Sequence, residues 1–154
     1  MLRLKLIHLL PAAACGALAL AGCETVQEEV NEVVGNNFHA SLLGSDEVPP
    51  ADPDGTGVAH IAINDATNQV CTDLEVRNLD MVTAAHIHEG RAGVNGPVVI
   101  TLDPPDDNDS DDCDTVPDAL VDRLRHDPNG FYVNVHTAAY PDGAIRGQIV
   151  ENMN

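Results

Sequence analysis

From Phe38 onward, apolar and polar positions alternate with a period of two, in short runs separated by turn residues. Phe38, Ala40 and Leu42 alternate with His39 and Ser41. Ala59, Ile61 and Ile63 alternate with Val58, His60 and Ala62. Val70, Thr72, Leu74 and Val76 alternate with Cys71, Asp73, Glu75 and Arg77. Successive side chains of a strand point to opposite faces, so each run carries one face suited to a core and one suited to water. Further strands are expected at 83–88, 97–102, 131–136 and 144–150. Turn pairs lie between the runs: Pro49-Pro50, Asp54-Gly55, Asn64-Asp65, Asn95-Gly96 and Asp142-Gly143. The period lengthens to that of a helix only from Pro117 to His126. There Leu120, Val121 and Leu124 would face a core, Thr115 would cap, and Pro117 suits a first-turn position. About seven short strands and one short helix predict an all-β chain, an immunoglobulin-like or Greek-key antiparallel β-sandwich.

The chain before Phe38 follows a different pattern. Arg3 and Lys5 make a basic start, and Ile7 to Leu20 is an apolar run of secretory length. It ends in Leu20-Ala21-Gly22-Cys23, which resembles a bacterial lipobox. Residues 1–22 are therefore expected to be a lipoprotein signal peptide, with Cys23 the lipidated residue. Residues 23–37 would be a flexible tether and 38–154 a single domain. Several acyl chains on one cysteine anchor stably where one is marginal. By resemblance to lipoprotein sorting, Glu24 does not look like an inner-membrane retention signal. The expected address is the bacterial cell envelope, at the outer membrane, facing the periplasm or the cell surface.

Export bears on the cysteines. The expected mature domain keeps Cys71 and Cys113, an even pair in an oxidising compartment, and a disulfide is predicted. The loop it closes, of roughly forty residues, corresponds to ~4 kcal/mol in the chain-entropy model.

The sequence carries 25 acidic and 7 basic residues, a formal net charge of −18. Phosphates would be repelled and no basic patch exists, which excludes nucleic acid as a partner. With two Phe, two Tyr and no Trp, the core must be built from Val, Ile, Leu and Ala. The aspartate-dense stretch from Asp103 to Asp118 reads as a solvated surface loop anchored at Cys113. Its run Asp106-Asp107-Asn108-Asp109-Ser110-Asp111-Asp112 spaces oxygens like the start of a calcium loop. Asp111 stands where the turn glycine belongs, and Pro117 where the closing glutamate belongs.

Two stretches carry candidate chemistry: Ala84-Ala85-His86-Ile87-His88-Glu89-Gly90, and Tyr132-Val133-Asn134-Val135-His136-Thr137 with Ile145-Arg146-Gly147-Gln148 after it. Alternation puts His86 and His88 on one face. It turns Tyr132, Asn134, His136, Arg146 and Gln148 outward; His39 and His60 also fall on polar sides. Imidazoles at i and i+2 converge on one ion, and a third from a neighbouring strand completes a set suited to copper or zinc. Glu89 would assist from the loop. Arg146 would hold an anion near the metal, or pair with Glu89 or an aspartate. The same histidines would equally serve as a metal-free recognition surface.

These segments resemble the CHRD (chordin-domain) family. The resemblance begins at Phe38-His39-Ala40-Ser41-Leu42-Leu43-Gly44-Ser45-Asp46-Glu47-Val48-Pro49-Pro50 and continues through Gly55-Thr56-Gly57. It includes Ala85-His86-Ile87-His88-Glu89-Gly90 with Gly93, Asn95, Gly96, Pro97 and Val98, and closes with Tyr132 to Thr137, Tyr140-Pro141 and Ile145 to Gln148. Ala144 departs from it, standing where the family usually has glutamate. The resemblance implies an immunoglobulin-like domain of extracytoplasmic proteins, with a protein partner outside the cytoplasm. A looser similarity to copper/zinc superoxide dismutases rests on the His-x-His strand before a glycine-rich loop. The further histidines of that family are absent from 90–115. The expected function is a non-enzymatic envelope binding domain with a metal at His86, His88 and His136. The alternatives are a copper-dependent redox enzyme on the same site and a metal-free interaction module.

Overall fold

The computed structural model describes residues 37–152; the leader, Cys23 and the tether up to residue 36 lie outside the described residues. The strands are β1 (Asn37–Leu43), β2 (Thr56–Asn64), β3 (Gln69–Arg77), β4 (Val82–Glu89), β5 (Val98–Leu102), β6 (Asp109–Thr115), β7 (Phe131–Thr137), β8 (Ile145–Gln148) and β9 (Val150–Glu151). One helix, α1 (Asp118–His126), lies between β6 and β7. No helix among the described residues is long and apolar enough to cross a membrane.

All strand pairs are antiparallel, in the order β5-β4-β7-β8-β1-β2-β3-β6, with β9 beside β1. The sheet divides into two halves of four strands. Their seam is thin: β8 meets β1 at the single pair Leu43↔Arg146, and β9 adds Phe38↔Glu151 and His39↔Val150. The apolar faces share one core. Phe38, Leu42, Ile61, Ile63 and Leu74 come from one half, and Ile87, Ile100, Phe131, Val133 and Ile145 from the other. Leu120, Val121 and Leu124 of α1 join it, as their spacing predicts. The all-β expectation holds.

Three local expectations change. The acidic stretch is not all loop, because Asp109–Thr115 forms β6 along the edge of β3. Cys71 stands directly opposite Cys113, and the predicted disulfide joins them, fixing the register of an otherwise poor strand sequence. Alternation then sends the aspartates to both faces of β6, which takes apart the calcium-loop spacing. Ser110, Asp112 and Asp114 fall on the core side, opposite Leu74, Thr72 and Val70. Burial and the neighbouring Asp112 and Asp103 push the Asp114 carboxyl above the ordinary aspartate range. Charges pointing inward on an edge strand discourage pairing with another chain. Pro117, not Thr115, takes the N-cap of α1, and no side chain caps it.

The third change concerns exposure. Tyr132, Asn134 and Arg146 do point away from the core, as alternation requires, but they are only 1%, 3% and 1% exposed. Two segments cover that face. The first is the 3-10 turn Gly44–Asp46 with the Glu-Val-Pro-Pro turn after it; the second is the loop from Gly90 to Pro97. Asp46 O accepts from Arg146 Nε at 2.8 Å, and Asn95 Oδ1 accepts from Arg146 Nη1 at 2.9 Å. The Gly96 N–H donates to the Tyr132 hydroxyl at 3.2 Å. Asn95 Nδ2 donates to Val48 O at 2.8 Å, tying the two covering segments together. These bonds replace part of the water lost on burial, while Asn134 Oδ1 and Arg146 Nη2 are buried without a partner.

Candidate metal centre

The register of β4, β7 and β8 builds three rows on the covered face. Ala84 pairs with His136. His86 pairs with Asn134, which pairs with Arg146. His88 pairs with Tyr132, which pairs with Gln148. The three histidines thus come from two adjacent strands, and their rings meet. Centroids lie 5.0 Å apart for His86 and His136, 5.6 Å for His86 and His88, and 6.4 Å for His88 and His136. One ring nitrogen from each lies within 4.8 Å of the others, the one such group of three among the described residues.

Hydrogen bonds set the tautomers. His88 Nδ1 lies 2.9 Å from Gly96 O, and His136 Nδ1 lies 3.0 Å from Pro141 O. A carbonyl only accepts, so both Nδ1 atoms carry the proton and both Nε2 atoms present a lone pair. That is the arrangement by which outer partners orient metal-ligating histidines. His86 Nδ1 lies 3.1 Å from His136 Nε2 and, with that Nε2 unprotonated, donates a hydrogen bond to it. Two nitrogens each about 2.05 Å from a shared ion also lie roughly 3.0–3.5 Å apart, so an ion replacing that proton would need little movement of this pair.

His88 completes the set and also creates its cost. It is 9% exposed, and its Nε2 is buried without a hydrogen-bond partner. Burial is the chief reason that the imidazoles of His86 and His88 are held below the ordinary histidine range. For His86 the charges of His136 and His88 add to the lowering. For His88 the Gly96 carbonyl opposes it, while His136 and Arg146 add to it. Both rings are thereby kept neutral, the form that ligates.

Two expected helpers are elsewhere. Glu89 falls on the face of Ala85 and Ile87, opposite the histidines, and pairs with Arg123 at 3.3 Å. A two-residue period allows it nothing else. Arg146 pairs with neither Glu89 nor an aspartate side chain. It stacks over the Tyr132 ring at 4.4 Å, and Tyr132 lies parallel to His88 at 4.8 Å. His39 and His60 stand opposite each other on β1 and β2, in the other half of the sheet. A groove of about 650 Å³ beside them, lined by His60, Asp73, Asp111 and the disulfide, contains no set of three ligating groups.

Glu47 is the residue that alternation could not place. It lies in the Glu-Val-Pro-Pro turn, 5% exposed, and its Oε1 has no partner. Burial raises its carboxyl above the ordinary glutamate range, against the opposing pull of Arg146. A Cβ on Gly143 would lie 2.6 Å from Glu47 Oε1 and 2.9 Å from Asn134 Oδ1, so only glycine fits between them.

A family model described as the CHRD domain matches residues 38–149. The chain belongs to the CHRD domain family. The match contains both covering segments, the three histidines, Tyr132, Arg146 and both cysteines of the disulfide. Comparison with curated proteins and with solved structures gives no match. Family membership points to a binding module, and the histidine cluster gives the covered face a defined polar centre.

Proposed function

We propose that this CHRD domain is a non-enzymatic binding domain of the bacterial cell envelope that holds one copper- or zinc-type ion through His86, His88 and His136. The tether ending at Cys23 would keep it on the outer membrane, where it faces the periplasm or cell surface and meets an extracytoplasmic protein partner. The observation that carries the metal reading is His88 Nε2. A buried nitrogen lone pair without a donor costs about 1–3 kcal/mol, and an ion shared with His86 and His136 would remove that cost. The two carbonyls that fix the neighbouring tautomers support the same reading.

The experiment is elemental analysis of the purified mature domain, before and after copper and zinc loading, with His86→Ala and His136→Ala beside it. One ion per chain, lost in both variants, is the expected result. No stoichiometric ion after loading overturns the proposal. It would leave the metal-free interaction module, for which the His86–His136 hydrogen bond provides a partner without any ion. Superoxide turnover by the copper-loaded domain would instead establish the redox enzyme. Mass spectrometry of the N-terminal peptide checks the anchor, and an unmodified Cys23 would remove it.

A further inference from the structure

Imidazole suits copper in either oxidation state as well as zinc, so donor type alone does not choose among them. Charge does. All three donors are neutral nitrogens, and among the described residues no carboxylate joins them within ligating distance. Glu89, the one acid on the same strand, is turned to the other face and paired with Arg123. The charged group stacked behind the site is a cation. Arg146 is 1% exposed, so water does not screen it, and it stands behind His88 with only the Tyr132 ring between them.

Arg146 has no ion-pair partner within 4 Å among the described residues. Its hydrogen bonds go to the uncharged oxygens of Asp46 O, Val94 O and Asn95 Oδ1. Glu47, itself buried, opposes the guanidinium field from beyond that distance. The overall acidity of the chain does not cancel this local field, because exposed charges more than about 8 Å away are largely screened at physiological salt.

Resting on the metal reading above, we infer that the His86–His88–His136 site, with Arg146 stacked behind Tyr132 and no carboxylate in reach, selects the lower-charged ion and is a copper(I) site. Each unit of charge on the bound ion is repelled by the guanidinium. For unit charges roughly 10 Å apart at an effective dielectric of about 20, that repulsion is on the order of tenfold in affinity. A divalent ion experiences it twice and a monovalent ion once. A set of three protein donors is complete for copper(I), whereas zinc adds a water or substrate as its fourth ligand.

The test uses the mature domain. Dissociation constants are measured for copper(I), anaerobically against a chromogenic chelator, and for copper(II) and zinc(II) by competition. Copper(I) is expected to bind more tightly than copper(II), so bound copper is reduced more readily than aqueous copper. Arg146→Gln is expected to shrink the copper(I)/copper(II) preference about tenfold, and Arg146→Lys to keep it. If Arg146→Gln does not fold, the reduction potential of the wild-type copper protein decides, and a value at or below that of the aqueous couple overturns the inference. Tighter binding of copper(II) or zinc(II) overturns it while leaving the metal reading intact, as does a preference unchanged in folded Arg146→Gln. Failure to bind all three ions overturns both.

Discussion

The Tyr132 ring lies flat on the His88 imidazole, with centroids 4.8 Å apart and planes 7° apart. The contact exists because β4 and β7 place these residues directly opposite each other on the covered face. Tyr132 therefore both fills space and holds the His88 ring in place. Tyr132→Phe keeps the stack but leaves the Gly96 N–H without its acceptor, and is expected to cost about 1 kcal/mol of stability. Tyr132→Ala removes a buried ring and is expected to cost about 3–5 kcal/mol. Urea unfolding of the metal-free domain measures both. Equal losses would mean that the ring contributes no packing.

His88→Phe separates stability from binding. The phenyl ring can occupy the same stack without leaving a buried nitrogen unpaired, a gain of about 1–3 kcal/mol against the lost bond to Gly96 O of about 1 kcal/mol. The metal-free variant is expected to be as stable as wild type or more so. It is also expected to lose any rise in melting temperature on copper addition. A rise that persists would show that His88 is not a ligand.

Two opposing pH effects are expected in the metal-free domain. His86 and His88 titrate lower when folded than their ordinary 6.5, so below 6.5 the unfolded chain takes up more protons and stability falls with acid. Glu47 titrates above 4.5 when folded, so between 4.5 and its folded value the native state holds more protons, and stability falls as pH rises. Glu47→Gln removes the second effect. Its unfolding free energy is expected to climb more steeply from pH 4.5 to 6.5 than that of wild type. Parallel profiles for the two proteins would refute the assignment to Glu47.

The period-two pattern made β1 to β4, β7 and the core legible, because one buried face per strand is enough to write that pattern. It also put His86, His88 and His136 on one side. It could not show that this side is covered. Tyr132, Asn134 and Arg146 are polar-face residues by alternation, yet they are buried by loop residues 44–51 and 90–97, whose course no periodicity encodes. β6 was hidden for the opposite reason. Asp109 to Thr115 has the composition of a loop, and a long-range partner, β3 with its disulfide, makes it a strand. Glu47 was visible only as part of a turn motif, and its burial depends on the later arrival of Asn134 and Gly143.

Reduction of Cys71–Cys113, or Cys113→Ala, is expected to cost about 2–4 kcal/mol, given a sequence separation of 42. The loss should be concentrated at β6. Hydrogen exchange should show faster exchange at Asp109–Thr115 while β4 and β7 stay protected. Uniform loss of protection would contradict a local role.

Gly143→Ala is expected to be among the more damaging single-methyl additions. Gly143 has φ +134°, and the new Cβ would meet Glu47 Oε1 and Asn134 Oδ1. A cost above about 1 kcal/mol is expected, read by chemical unfolding. A neutral outcome would mean that the turn relaxes freely.

The inward aspartates of β6 bear on how such domains behave side by side. A neighbour's strand could extend the sheet at that edge only by shutting Asp112 and Asp114 away from water. Extension of the sheet by a neighbouring copy is therefore opposed at β6, the edge that lies farthest from the histidine strands β4 and β7 in the strand order.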